Sequence, residues 1–225
     1  MKSLPLLRHA AGIVLLGSLL SSCASVSVKH GEVNQQLAPK QKPKRIYVVP
    51  LSVEKTKVKE SFARKPKNTL KFEAQNLLTD NLVEDLSKTI APASVLKPGQ
   101  TPSGNSWVVS GDITRVAEGS RFLRMGLGLG LGGTKLETQV HVSKGTQQPF
   151  LTFSTTGGSN SMPGGATNPI PFSGVPTALL HANEGVTDDT DRTARQITAG
   201  IAHYMVERGW MAPEKAPEIK RSREE

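Results

Sequence analysis

The sequence predicts an α+β protein, a small antiparallel sheet with two packed helices in the order β-α-β-β-β-α. Two segments carry apolar residues at helical spacing, and four short segments have the β-branched or alternating composition of strands. Their order places two helices over a small sheet. The 225 residues, 36% hydrophobic and 4% aromatic, suit one folded domain with few aromatic side chains.

Four segments are predicted to form the strands. Residues 46–53 are β-branched and apolar on both faces, and Pro50 argues for a sheet edge or a bulge in the second half. Residues 107–116 and 134–143 alternate apolar and polar side chains, as half-buried strands do. Residues 149–156 are predicted to form a further strand, in a hairpin with the preceding one.

Two amphipathic segments are predicted to form the helices. Residues 70–90 repeat leucine and other apolar residues at helical spacing, and Asn68 or Thr69 is the expected N-cap. Residues 188–208 carry a second apolar stripe, which Gly209 is expected to end. No internal repeat accompanies these segments.

The N-terminal residues predict a lipid anchor. A positively charged start is followed by the apolar residues 10–20, which are too few to span a bilayer and match a secretory signal peptide. Leu20-Ser21-Ser22-Cys23 resembles a bacterial lipobox, which implies cleavage after Ser22, diacylglyceryl attachment to the Cys23 thiol and acylation of the new amino group. The alternative is a plain signal peptide followed by a stray cysteine. Ala24, in place of the aspartate that retains enteric lipoproteins in the inner membrane, favours the periplasmic face of the outer membrane.

The chain is therefore divided into four parts. Residues 1–22 are the expected signal peptide, and residues 23–44 are a lipidated cysteine and a flexible tether. Residues 45–211 form a single α+β domain, and residues 212–225 form a charged, disordered tail.

The net charge of +9 is concentrated in one part of the sequence. Residues 40–71 hold eleven Lys or Arg against Glu54 and Glu60. A periplasmic location and the lack of interleaved aromatic residues argue against nucleic acid as a partner. Two interpretations stay open: attraction to an anionic membrane or cell-wall surface, and a solvated basic linker that only aids solubility.

Residues 125–133, MGLGLGLGG, form the most unusual stretch of the sequence. In an extended chain they would present backbone on one face and leucines on the other, which suits packing inside the fold, a flexible loop, or contact with a partner. A phosphate-binding loop is disfavoured because an alternating strand pattern, and no helix, follows. Arg121 and Arg124 lie just before this stretch, in an ion-pair network or a basic contact site that includes Asp112 and Arg115. The candidate partner-contact residues are Leu127, Leu129, Leu131, Arg121 and Arg124.

No motif predicts catalysis, a metal site or a cofactor. His203 and Glu207 are spaced i,i+4 but lack the H-E-x-x-H pattern, so a pair on a solvated helix face is expected. The sequence has no G-x-S-x-G elbow, and its one cysteine is at the lipobox. A hydrolase hypothesis would depend on His141, or on His181 in the Gly- and Pro-rich loop 157–185.

The residues from Val109 to Arg121 (VSGDITRVAEGSR), then Arg124 and the glycines from Gly126 to Gly133, resemble the bacterial domain-of-unknown-function 4410 family. Its members are typically small secreted proteins or lipoproteins. The resemblance extends from Ile46 to Trp210 and implies no activity, since the family has none assigned.

These observations predict an outer-membrane-anchored periplasmic lipoprotein that acts as a non-catalytic binding or assembly module of the cell envelope. Its expected partners are the membrane, through the lipid on Cys23, and an envelope protein. The alternative is an accessory subunit of a trans-envelope transport or secretion complex, and a periplasmic hydrolase is the least favoured hypothesis. The oligomeric state is not predicted.

Overall fold

The computed structural model describes residues 25–59, 66–117, 135–158 and 184–219. The helices are α1 (Lys67–Thr89) and α2 (Glu184–Glu207), and a short 3-10 turn follows at Pro213–Lys215. The strands are β1 (Ser25–Val33), β2 (Arg45–Val48), β3 (Lys57–Lys59), β4 (Ala93–Val95), β5 (Ser106–Ala117), β6 (Lys135–Lys144) and β7 (Pro149–Gly158). The predicted α+β class is confirmed.

The strands form one sheet that is mixed rather than purely antiparallel. Its order is β1-β7-β6-β5-β2-β4, and β3 pairs with β5 beside β2. Strands β1, β7, β6 and β5 are antiparallel, whereas β2 and β3 run parallel to β5 and β4 runs parallel to β2. The parallel part follows from the connection through α1, because a helical crossover returns the chain in its original direction.

The flexible tether expected for residues 23–44 does not hold for the part that the structure describes. Residues 25–33 form edge strand β1, and Val28 and Val33 pack against the core. Beyond the strand, the backbone amide of Asn34 donates to the backbone carbonyl of Phe150 at 2.9 Å. The backbone amide of Lys44 donates to the backbone carbonyl of Asn105 at 2.9 Å. The described part of the domain therefore begins at Ser25, well before the expected boundary at residue 45.

The strand predicted for residues 46–53 is interrupted at Pro50. Strand β2 ends at Val48, and the next pairing is a single bridge between Ser52 and Asp112. Since proline has no amide hydrogen, it cannot continue the ladder with β5. Pairing with β5 resumes at β3, which the sequence pattern did not predict.

Both helices cover one face of the sheet and bury the core there. Helix α1 starts at Lys67 after an N-cap at Pro66, so the predicted caps Asn68 and Thr69 are wrong. The buried side chains of α1 and α2 meet those of β2, β5, β6 and β7. They include Leu78, Leu82, Leu86, Ile197, Ile201, Ile46, Val109, Ile113, Val140 and Phe153. Among the described residues, no helix is both long enough and apolar enough to cross a membrane.

An aromatic cluster closes the core where α2 ends. The buried Trp107 ring makes edge contacts with Phe150 and Tyr204, at centroid distances of 5.0 and 6.0 Å. Trp210 packs on it at 6.1 Å, directly after Gly209, whose φ of 69° turns the chain out of the helix. Residues 212–225 were expected to be a disordered tail, but the described part of this segment makes the 3-10 turn. The Gln196 side-chain amide donates to the Glu218 carbonyl at 3.2 Å.

Candidate functional site

Five strands reach the same end of the sheet in register. Ser25 pairs with Gly158, Gly158 with Lys135, Lys135 with Ala117, and Ala117 with Lys59. This row, which we name the Ser25 end, is the last described row of β1, β7, β6, β5 and β3. The opposite end of β5 holds Ser106, which pairs with Arg45 in β2.

Three connections and the N-terminal segment all join the domain at the Ser25 end. Residues 60–65 follow β3, residues 118–134 link β5 to β6, and residues 159–183 follow β7. Residues 1–24, which include Cys23, come directly before β1. Topology alone therefore brings together the attachment points of the N-terminal segment, of the connection that contains MGLGLGLGG, and of the Gly- and Pro-rich segment.

The six predicted site residues lie outside the described residues. Cys23 is two positions before Ser25. Arg121, Arg124, Leu127, Leu129 and Leu131 belong to the connection 118–134. Since Ala117 and Lys135 are paired neighbours, this connection leaves and re-enters the sheet at one place.

The described part of the basic segment 40–71 does not form one patch. Lys42 and Lys44 lie beside Asn105, at the opposite end of the sheet. Lys55 and Lys57 are exposed beside the last part of β5, where Lys57 pairs with Arg115 in register. These four lysines, which the sequence shows in one run, are therefore divided between the two ends of the domain.

Helix α1 places an exposed aromatic side chain near the Ser25 end. Phe72 is 54% exposed, whereas Leu70 and Ala74 on either side of it are buried. The Gln75 side-chain amide donates to the Leu51 carbonyl at 2.7 Å, which fixes this part of the helix against the chain between β2 and β3. Sequence reasoning missed Phe72, although the helical spacing of the leucines already places it on the outer side of α1.

Asp112 and Arg115 lie on the same face of β5, because the register shifts between Ile113 and Arg115. Asp112 is opposite Gln139, and Arg115 is opposite Glu137. Such a bulge inserts one residue and so reverses the alternation of the side chains. The predicted cluster is thus brought together in part; its other members, Arg121 and Arg124, are outside the described residues.

The face of β6 and β7 opposite the core carries polar side chains. The Ser154 hydroxyl donates to the Gln139 side-chain oxygen at 2.9 Å, and His141 Nδ1 is 3.2 Å from the Thr152 hydroxyl. These cross-strand pairs satisfy polar groups in a half-buried row. They account for His141 without a chemical role.

The remaining histidines form no cluster in the part that the structure describes. His203 is half-buried and Glu207 is exposed on α2, and no ion pair joins them in the described residues. His181 lies outside those residues. Within the described ranges, no three His, Cys, Asp or Glu side chains come together as a metal ion would require.

The geometry defines a class of protein: a two-layer α+β domain whose long connections and N-terminal link meet at one end of a mixed sheet. The chain matches the family model described as Domain of unknown function (DUF4410) over residues 38–169, more than half of its length. It therefore belongs to this family, and the resemblance of residues 109–121 is confirmed. No curated protein matches the chain.

Solved structures that are similar to the chain include two of PelC. The PelC dodecamer from Paraburkholderia phytofirmans is 11% identical, with a TM-score of 0.37, and the match covers 76% of this chain and 99% of that chain. A substituted form of the same PelC dodecamer is 14% identical, with a TM-score of 0.31 and coverage of 73% and 98%. At these values the similarity carries no argument about function.

Proposed function

We propose that the protein is a lipoprotein of the bacterial outer membrane, anchored at Cys23 on the periplasmic face. Its α+β domain would act as a non-catalytic binding or assembly module of the cell envelope. The observation that carries the proposal is the position of the lipobox Leu20–Cys23, which ends two residues before the first strand at Ser25. The proposed anchor is thus two residues from the first described strand.

The physical consequence of this position is close attachment. Two extended residues span at most about 7 Å, so a lipid on Cys23 would hold Ser25 next to the headgroups. Each buried methylene of an acyl chain contributes about 0.8 kcal/mol, and several chains together anchor a protein without a spanning helix. The non-catalytic part of the proposal rests on the absence of a nucleophile and base motif in the sequence.

The alternative, an accessory subunit of a trans-envelope transport or secretion complex, draws on one further observation. The connection that contains Leu127, Leu129 and Leu131 starts at Ala117 and ends at Lys135, both at the Ser25 end. In an anchored protein this connection would start beside the membrane, where an integral partner would be in reach.

The anchor is tested by mass spectrometry of the protein from membranes. Trypsin should release an acylated peptide Cys23–Lys29, with no peptide that continues upstream of Cys23. Ala24→Asp should move the protein from the outer to the inner membrane, whereas the matched Ala24→Ser should not. An unmodified Cys23 thiol, or a signal peptide still attached, would refute the anchor.

The binding role is tested by crosslinking in intact cells, followed by purification through a C-terminal tag and quantitative mass spectrometry. A reproducible envelope protein that is lost from Cys23→Ser would support an anchored module or subunit and identify its complex. Recovery of lipid alone, with no protein above the control, would contradict an assembly role.

A further inference from the structure

We infer that the Ser25 end of the domain lies flat against anionic phospholipid headgroups, with Lys55 and Lys57 on the phosphates and Phe72 at the interface. The inference rests on the proposed lipid on Cys23. It goes further, because it fixes which end of the domain the membrane covers and which residues touch it.

The length of the N-terminal link supports this orientation. Ser25 belongs to the terminal row of the sheet, and at most about 7 Å of chain separates it from Cys23. Strand β5 has 12 residues, so the opposite end of the sheet is about 36 Å further from the anchor. A domain that stood on its opposite end would hold Ser25 about 36 Å from the lipid, far beyond the reach of the link.

The charges near this end fit an anionic surface. Lys55 and Lys57 are exposed and flank Thr56, whose hydroxyl donates to the Ile113 carbonyl at 2.5 Å and so ties this turn to β5. Arg115 is half-buried in the strand beside Lys57. A lysine or arginine near an anionic membrane contributes about 1 kcal/mol to attraction.

Phe72 supplies the apolar contact that charge alone would not explain. It is five residues into α1, about 7.5 Å along the axis from Lys67, and it faces away from the core. The other exposed large apolar side chain of the described residues is Val95, 39% exposed in the short strand β4. Protein surfaces that bind at the membrane interface combine lysine or arginine with exposed aromatic side chains such as phenylalanine.

The orientation is tested with the mature, lipidated protein in vesicles of phosphatidylethanolamine and phosphatidylglycerol with brominated acyl chains, which quench tryptophan fluorescence on contact. Phe72→Trp should be quenched, and the matched Val95→Trp should not be. The native Trp107 is fully buried and Trp210 packs on it away from the Ser25 end, so both should stay unquenched. Equal quenching of Trp at 72 and 95, or none at 72, would overturn the inference.

The charges are tested in the Phe72→Trp background. Lys55→Gln with Lys57→Gln should shift the equilibrium away from the docked state about 30-fold, at about 1 kcal/mol per lysine, and quenching should fall accordingly. Lys42→Gln with Lys44→Gln makes the same charge change at the opposite end and should leave quenching unchanged. Equal loss in both pairs would show attraction by net charge alone and would also overturn the inference.

The two proposals fail separately. A Cys23 peptide without lipid would refute the anchor before any vesicle is made. A lipidated Cys23 with no quenching at position 72 would leave the anchor standing and refute the orientation.

Discussion

Gly111 in β5 is a position at which any side chain should damage the fold. A Cβ atom there would lie 1.9 Å from the Gln139 carbonyl oxygen and 3.1 Å from the Val140 Cα. The φ angle of 152° is one that L side chains rarely adopt, and such strain costs of the order of 1–3 kcal/mol. To relieve the contact, β6 must also move by more than about 1 Å, which disrupts ladder hydrogen bonds worth about 1 kcal/mol each.

Gly111→Ala is therefore expected to lower the free energy of unfolding by about 3–5 kcal/mol, out of about 5–15 for a typical domain. The assay is urea unfolding followed by far-UV circular dichroism. Gly145→Ala is the matched control, because its φ of 56° is also positive but nothing lies within 4 Å of the new Cβ. It should cost about 1–2 kcal/mol. A loss at Gly111 no larger than that at Gly145 would refute the reasoning.

Three further predictions concern stability. Burial raises the pKa of the Asp85 carboxyl, so its ionisation costs stability above that raised pKa. Asp85→Asn should raise the urea midpoint of unfolding at pH 7. This gain should shrink as the pH falls through the raised pKa of Asp85, and it should vanish below the ordinary pKa of an aspartate. An unchanged midpoint at pH 7 would contradict this. Thr138 and Thr155 share a buried hydrogen bond of 2.7 Å. Thr138→Val alone should cost about 1–3 kcal/mol, and the double Val variant much less, in a double-mutant cycle; equal losses would argue against the pair. Leu78→Ala, fully buried, should cost about 2–5 kcal/mol in thermal unfolding, against about 0.5 kcal/mol for the exposed Phe72→Ala; similar losses would disprove this packing.

The central strands could be predicted because alternation determines their burial. Residues 107–116 and 134–143 were expected, and β5 and β6 differ from these bounds by one residue at each end. In β6, Leu136, Thr138 and Val140 are buried on one face, as the pattern predicts. When one face of a strand is buried, the alternation of apolar and polar residues in its sequence shows which side chains face the core.

The edge and parallel strands could not be predicted in this way. Strands β3 and β4 have three residues each, and their pairing depends on β5 and β2 rather than on their own pattern. Strand β1 is largely polar, with Ser and Val alternating only in its first four residues, and it pairs with β7 more than 115 positions away. Such long-range pairing leaves no local signal, so the composition indicated a tether.

The candidate site shows the same division between local and distant information. The exposure of Phe72 follows from helical spacing and was available from the sequence. The division of the described lysines of residues 40–71 between the two ends could not be predicted from the sequence, because it depends on the parallel register of β2 and β3 along β5. A run of charge in a sequence becomes a patch only if the fold keeps its members together.

The residues that carry the family resemblance, from Val109 to Gly133, fall into two parts, one inside β5 and one after it. Val109, Ile113 and Val116 are buried in β5, and Gly111 is explained by the closeness of β6. Packing therefore accounts for the first part of the pattern, and this part gives no reason to expect chemistry. The second part, from Gly119 onward, follows the strand at the Ser25 end, where β1 begins two residues after Cys23. Variants in this second part should leave stability intact and change envelope association, whereas those in β5 should do the reverse.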